Sequence, residues 1–437
     1  MKTNFLIKAN PYLPWIIIGL LSLIYFSSIM QVPFHPDEST QIFMSSDVDI
    51  FFTTPNALIW NKNSPDDRRM ELRMLDAPLT RYIIGIARCI TGQEAVPVDW
   101  DWSLSFSENS RNGALPENDL LFTARMSVSF IFPISLFLIW QLLKNNFSNL
   151  AGWVGILATA GNALILLHTR RSMAESLTFF LVICLVYILF LKRPSPVLLG
   201  IVTGLAFNAK QSTIIWLILM FAFIISGSNF FKVSFVRKLR NLSLCAISFF
   251  IITLLLNPYM WKHPFLASNE AFARHSILVE KQLEDLIRVS PDSALDTPME
   301  RISSIVGNLY FTPPAVTDTA NYLKDLSAEI NQYTGNPRNS LFRNMLGSAL
   351  LLTLTLLGIY TIFRFPSPYH HREEILLLIA GILQFLFLIL NVPLPYQRYV
   401  MPLMPMAIVF FAIGISKFLE LTYKVLFPRI QERSNPD

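Results

Sequence analysis

The stretch ILLLIAGILQFLFLILNVPLPYQ, residues 375–397, runs for 23 positions without a charged side chain. As a helix it exceeds the roughly 20 residues needed to cross ~30 Å of hydrocarbon. Nine more uncharged, strongly apolar runs occur along the chain, at 9–36, 126–143, 145–169, 176–191, 194–209, 211–231, 241–261, 344–363 and 399–416. A further uncharged run, 302–317, contains Gly307 and Pro313-Pro314 and is too polar to belong with them. Of the 437 residues 53% are hydrophobic and 15% charged, and mean hydropathy is +0.46. A soluble domain needs about a quarter charged residues to cover its surface. The expected fold class is therefore an all-α polytopic membrane protein of about ten transmembrane helices. A soluble enzyme and a fibrous chain are excluded. So is an outer-membrane barrel, whose strands would alternate every second residue.

Ten spans place both termini on one side, and the basic residues indicate which. The segments 1–8, 144, 192–193, 232–240, 364–372 and 417–433 hold 15 of the 35 Lys and Arg, all on one face if the spans alternate. The positive-inside rule makes that face cytoplasmic, so both termini are expected there, in a plasma or inner membrane. Two long loops, 31–119 and 258–340, then lie outside with 24 of the 30 Asp and Glu. The net charge of +5 averages over opposite faces and implies no nucleic-acid partner. The first apolar run lacks a small-residue cleavage site and reads as a retained helix. Cys184 and Cys245 fall inside spans and Cys89 stands alone outside, so no disulfide framework is indicated.

Beyond these and the seven basic residues in each long loop, six remain, Arg125, Arg170, Arg171, Lys210, Arg343 and Arg398, all at outer span ends where positive charge is not expected. The runs 176–191 and 194–209 reach only ~24 Å as helix, which places Glu175 and Lys210 at or just below the outer interface. A single such charge is explained by snorkelling. Six together suggest a bound anion such as a lipid phosphate.

In the first loop, Val32-Pro33-Phe34-His35-Pro36-Asp37-Glu38 follows the first run directly. The prolines set an extended entry, and Asp37-Glu38 reads as the first turn of a short helix. One reading is complementation of the helix dipole; the other is a carboxylate held above the bilayer as general base or metal ligand. Asp76-Ala77-Pro78 is a start signal for a helix over about 79–90, with Arg81 and Arg88 opposite an apolar side, suited to lie in the outer interface. Trp100 and Trp102 are expected to dip into the interface, and 103–119 to be solvent-exposed loop. In the second loop, 265–290 reads as an amphipathic helix and 318–332 as a second one. No loop carries a strong metal pattern; Asp37, Glu38, Glu175 and His263 are the candidates for a divalent cation, the one cofactor considered. No P-loop or glycine fingerprint marks a nucleotide site.

Together Asp37-Glu38, Pro78-Leu-Thr-Arg-Tyr82, Arg171-Ser-Met-Ala-Glu175, Gly204-Leu-Ala-Phe-Asn-Ala-Lys210 and Arg398-Tyr-Val-Met-Pro-Leu-Met-Pro405 form an ordered series. It resembles the C-type glycosyltransferases, the broad group of protein O-mannosyltransferases and the lipid A aminoarabinose transferase, along residues 1–420. The resemblance implies one membrane-embedded domain over 1–437 that takes a sugar from a polyprenyl-phosphate donor at the outer face. The acceptor would be a lipid, glycan or protein. It implies Asp37 as catalytic base, with Glu38 beside it and Glu175 as a second acid. Lys210, Arg398 and Tyr399, with Arg170 or Arg171, would lie near the donor phosphate. Where relatives often carry two prolines before the interfacial helix, this chain has Asp76-Ala77-Pro78, and no soluble domain is expected after the tenth span; both leave the acceptor open. Alternatives are a lipid-linked glycan polymerase or ligase, which usually depends on Arg and His of a late loop, and a flippase or transporter of lipid-linked sugar, which needs charges deep in spans.

The sidedness is testable by labelling with an impermeant maleimide after replacing the native cysteines. Ser105→Cys should react in intact cells, and Ser234→Cys only after permeabilisation.

Overall fold

The computed structural model describes residues 11–62, 67–192, 194–226, 234–289, 294–318, 322–367 and 369–426, and they contain helices but no strand. Every apolar run carries helix. Among the described residues six segments are long and apolar enough to cross a membrane: Leu13–Gln31, Asn118–Asn146, Phe235–Leu256, Met345–Arg364, His371–Asn391 and Gln397–Tyr423. Three more apolar helices are shorter, Ala174–Leu189, Pro196–Ala209 and Gln211–Ile225. The 145–169 run is not one helix. It divides at Asn162, whose backbone turns extended and whose Oδ1 accepts from the N–H groups of Leu164 and Ile165, so that Asn149–Gly161 is followed by a separate Ala163–His168. Asn in this role satisfies orphan amides that a new helix start would otherwise leave bare.

The short helices lie where length matters least. In Ala174–Leu189 nearly every side chain is buried, on both faces, by helices around it. A helix surrounded by protein has no hydrocarbon thickness to match, so 16 residues suffice. At the bundle's edge Met345–Arg364 packs closely on Met404–Leu426, where a Cβ at Gly358 or Gly414 would strike the backbone of the other helix.

The two long loops share a core. Phe34, just before the Pro36–Met44 helix, and Ile42 and Phe43 within it pack with Ile84, Trp100 and Leu121, and with Tyr322 and Leu326 from the second loop. Two expectations are corrected here. Trp100 is buried against Phe34, Phe106 and Tyr322 and does not reach an interface, whereas Trp102 is exposed. The 103–119 stretch is also not a plain loop: Ser105 caps a Phe106–Arg111 helix, and the Asn109 side chain is buried and donates to the Asp101 carbonyl.

The helix expected over about 79–90 forms as Leu79–Thr91 and ends at Gly92, whose φ of 70° is left-handed. Its two sides have the expected division but point differently from a basic helix on a membrane. Arg81 and Arg88 are buried under the loop while Ile86 and Ile90 are exposed. Asp47 takes Arg73 at 2.8 Å and Arg81 at 3.3 Å, and Arg88 bonds Ser45 Oγ at 3.1 Å and pairs with Asp49. Gly85 lets this helix lie directly on the Ser45 carbonyl and Val48, contacts that a Cβ would block. In the second loop Pro264–Val289 is helical as expected, with Ala267 and Ala271 buried against Trp60, Met74 and Tyr259. The helix expected over 318–332 is Ser327–Thr334, shorter than expected, and a Pro298–Val306 helix that was not expected precedes it; residues 319–321 lie outside the described residues.

Removing one partner of a buried ion pair leaves an uncompensated charge, at a cost of about 3–5 kcal/mol. Asp47→Ala strands both Arg73 and Arg81 and should lower unfolding stability in detergent by about that amount, whereas an exposed change such as Glu71→Ala should cost under about 1 kcal/mol.

Candidate active site

The Pro36–Met44 helix begins on a reciprocal cap. His35 Nδ1 accepts from the Asp37 N–H at 3.1 Å, and Glu38 Oε1 accepts from the His35 N–H at 3.1 Å. Pro36 occupies the first helical position, where its missing N–H costs nothing. Asp37 and Glu38 therefore stand in the first turn as expected, yet they point into different surroundings.

Glu38 is completely buried. Arg125 holds both its oxygens, at 2.7 and 2.8 Å, and the Ser172 N–H and Oγ donate to it at 2.9 and 3.1 Å. Burial alone would raise this carboxyl, but the Arg125 guanidinium and the Ser172 bonds hold it below its usual range. Arg125 completes its fork on the carbonyls of Ile29 and Val32. The group is a strut between four chain segments.

The Asp37 carboxylate is 29% exposed and pairs with Arg398 Nη1. Arg398 lies in the 3₁₀ turn Gln397–Leu403, and its Nε is 3.0 Å from Asp318 Oδ2. Asp318 also accepts from His35 Nε2 at 3.2 Å. Burial works against ionising Asp318, but Arg398 and then His35 hold its carboxyl far below the usual range. Partly buried Asp76 is nearby: burial and then the Asp37 carboxylate push it up to about 6. On the other side of Arg398, Lys210 closes the Pro196–Ala209 helix and donates to Glu175 Oε1 at 2.8 Å. Its ammonium is also 3.4 Å from the Arg398 carbonyl and 5.3 Å from the centre of the Tyr399 ring. The Arg398 guanidinium lies 5.7 Å from the same ring. Lys210 and Arg398 retain 17% and 14% side-chain exposure.

Asp37, Glu175, Lys210, Arg398 and Tyr399 are thus linked into one cluster at the junction of bundle and loops. The other sequence candidates lie outside it. Arg170 and Arg171 are each 1% exposed: Arg170 donates to Ser28 Oγ at 2.8 Å, and Arg171 to the carbonyls of Pro33 and Val316. Arg343 similarly holds the Asn308 carbonyl at 3.1 Å. His263 is exposed at the start of the Pro264–Val289 helix and makes no contact with the cluster's acids. Among the described residues no three His, Cys, Asp or Glu side chains converge in a way that could hold a metal ion. Asp37 and Asp318 already share the Arg398 guanidinium. The donor set does not fit a divalent cation in this arrangement. Asp318 was missed from sequence, although it is the first charge after the 302–317 run and its two prolines, a usable signal.

No protein-family model and no curated protein matches this chain in sequence. Solved structures do match in shape. An oligosaccharyltransferase of Archaeoglobus fulgidus, crystallised with Zn and sulfate, aligns with 94% of this chain at a TM-score of 0.50 and 15% identity. ArnT from Cupriavidus metallidurans in the apo state aligns with 92% at a TM-score of 0.51 and 10% identity. The fold is that of the C-type glycosyltransferases. At these identities the likeness concerns the fold, and the chain spans 49% and 59% of the length of those two. Within the C-type fold, the cluster sits where the membrane bundle meets the two long loops.

Glu38 and Asp37 should separate experimentally. Glu38→Ala strands Arg125 and should cost about 3–5 kcal/mol of stability. Asp37→Asn, at a partly exposed position, should shift the unfolding midpoint little in the same assay.

Proposed function

We propose that this chain is an integral-membrane glycosyltransferase that moves a sugar from a polyprenyl-phosphate donor to an acceptor on the outer face of the membrane. The observation carrying this reading is a partly exposed carboxylate, Asp37, beside two partly exposed cations, Lys210 and Arg398, where the apolar bundle ends. Transfer with inversion needs both. The acceptor oxygen forms a bond to the anomeric carbon as the carbon–oxygen bond to phosphate breaks. The acceptor proton passes to Asp37, and the lipid phosphate leaves with the bonding pair. Lys210 and Arg398 stabilise the charge growing on that phosphate, and Tyr399 walls the same place. At low dielectric each of these interactions is stronger than in water.

The three carboxylates Asp37, Glu175 and Asp318 neutralise the two cations in the present arrangement. Donor phosphate takes over the guanidinium edge held by Asp37, which frees that carboxylate to accept a proton. Glu175 keeps Lys210 in place, and Glu38 acts as a positioning group through Arg125. The whole chain works as one domain, with both termini cytoplasmic and the long loops outside, and the donor's polyprenyl tail remains among membrane lipids. No step is routed through a metal: Asp37 and Asp318 are paired with Arg398, and Glu175 with Lys210. Charges gathered at one level, not distributed through the spans, favour transfer over transport of the lipid-linked sugar.

Transfer by Asp37→Asn should fall at least about a thousandfold with insertion and unfolding unchanged; near-normal transfer would remove Asp37 as base. Lys210→Ala and Arg398→Ala should raise the donor concentration giving half-maximal rate. An unaltered donor titration in both would sink the phosphate assignment.

A further inference from the structure

The mechanism above leaves His35 without a part and uses Asp318 only for its charge, although both are buried and both touch the groups it uses. His35 has one ring nitrogen on each side of the question. Its Nδ1 accepts from the Asp37 N–H at 3.1 Å, so the ring proton belongs on Nε2, which lies 3.2 Å from Asp318 Oδ2. That same oxygen is 3.0 Å from Arg398 Nε. Asp318 is only 6% exposed, and the packing of Tyr322 and Leu326 with Phe34 and Phe43 keeps its segment of the second loop against the first.

We propose that Asp318 is a positioning residue that holds His35 in the Nε2–H tautomer, so that His35 keeps the helix start carrying Asp37 in place, and that seats Arg398 beside it. One carboxylate thereby sets both the candidate base and the candidate phosphate ligand. His35 is the connection: a carboxylate on one ring nitrogen fixes what the other can do, here accepting an amide that no intrahelical carbonyl can reach. The two jobs make different demands. Tethering His35 needs only an acceptor oxygen, which Asn retains. Seating Arg398 needs the negative charge, which Asn lacks. The functional part of this inference rests on the glycosyltransferase reading, but the positioning part does not.

The test is amide hydrogen exchange of the full chain in lipid nanodiscs, followed on peptides covering 33–44 and 174–189. Asp318→Ala should speed exchange at the start of the Pro36–Met44 helix about tenfold and leave Ala174–Leu189 unchanged. Asp318→Asn should leave both within twofold of the parent chain. Unchanged exchange over 33–44 in Asp318→Ala would overturn the proposal. An equal rise in both peptides would do so too, because it reports general loosening. Undecaprenyl phosphate, added as a probe, separates the second job: both variants should bind it with an affinity altered at least about threefold, and equal binding in all three proteins would refute the seating of Arg398. Exchange needs no donor, so it decides the tether even if transfer from a polyprenyl-phosphate sugar is never observed.

Discussion

Glu38 and Arg125 hold each other where neither meets water, and the arrangement around them follows from that. An ion pair at the edge of hydrocarbon is tolerable only if every remaining lone pair and proton finds a partner. The Ile29 and Val32 carbonyls and the Ser172 N–H and hydroxyl meet that demand. They belong to the exit of the first helix and the turn before Ala174–Leu189, while Arg125 itself belongs to Asn118–Ser129. One pair thus locks three parts of the bundle to the base of the first long loop. Asp37 is the residue just before Glu38, so its backbone inherits that rigidity while its side chain remains partly open.

The same solvation argument sorts the cations. Arg171 and Arg343 are buried and turned to backbone carbonyls, and Arg170 to the carbonyl and hydroxyl of Ser28. Guanidinium suits this, since its planar fork can satisfy several acceptors at once and is less strongly hydrated than an ammonium. Lys210 and Arg398 have acid partners instead and keep part of their surface open. A charge held by fixed carbonyls is structural. A charge held by a carboxylate but fully buried, as Arg125 is, is structural too. Only one that also keeps part of its surface open can exchange that partner for another anion, which is why the proposed function gives the phosphate to Lys210 and Arg398.

How much could be read in advance depended on the range of the interaction. The apolar runs and the helix starts at Asp37, near Leu79 and near Phe265 were legible because each rests on local pattern, caps or turn signals. Division of the 145–169 run at Asn162 was not, because an Asn cap becomes decisive only when the following helix has somewhere else to pack. By its type Trp100 reads as an interface residue, but contacts with Phe34 and Tyr322, distant in sequence, place it in a core. Arg81 and Arg88 had the right helix face and the wrong environment, since Asp47 and Asp49 decide which way that face turns.

The sequence by itself determined a helical membrane bundle, two long acidic loops and a band of charges at one level of the spans. Hydrophobicity and chain order suffice for these, being properties of single segments. Which charges are struts and which form a site was decided only in three dimensions. Arg170, Arg171 and Arg398 look alike along the chain, and Glu38 adjoins Asp37. Their roles diverge because a buried charge takes its behaviour from whatever surrounds it, and those neighbours come from segments up to 361 residues away.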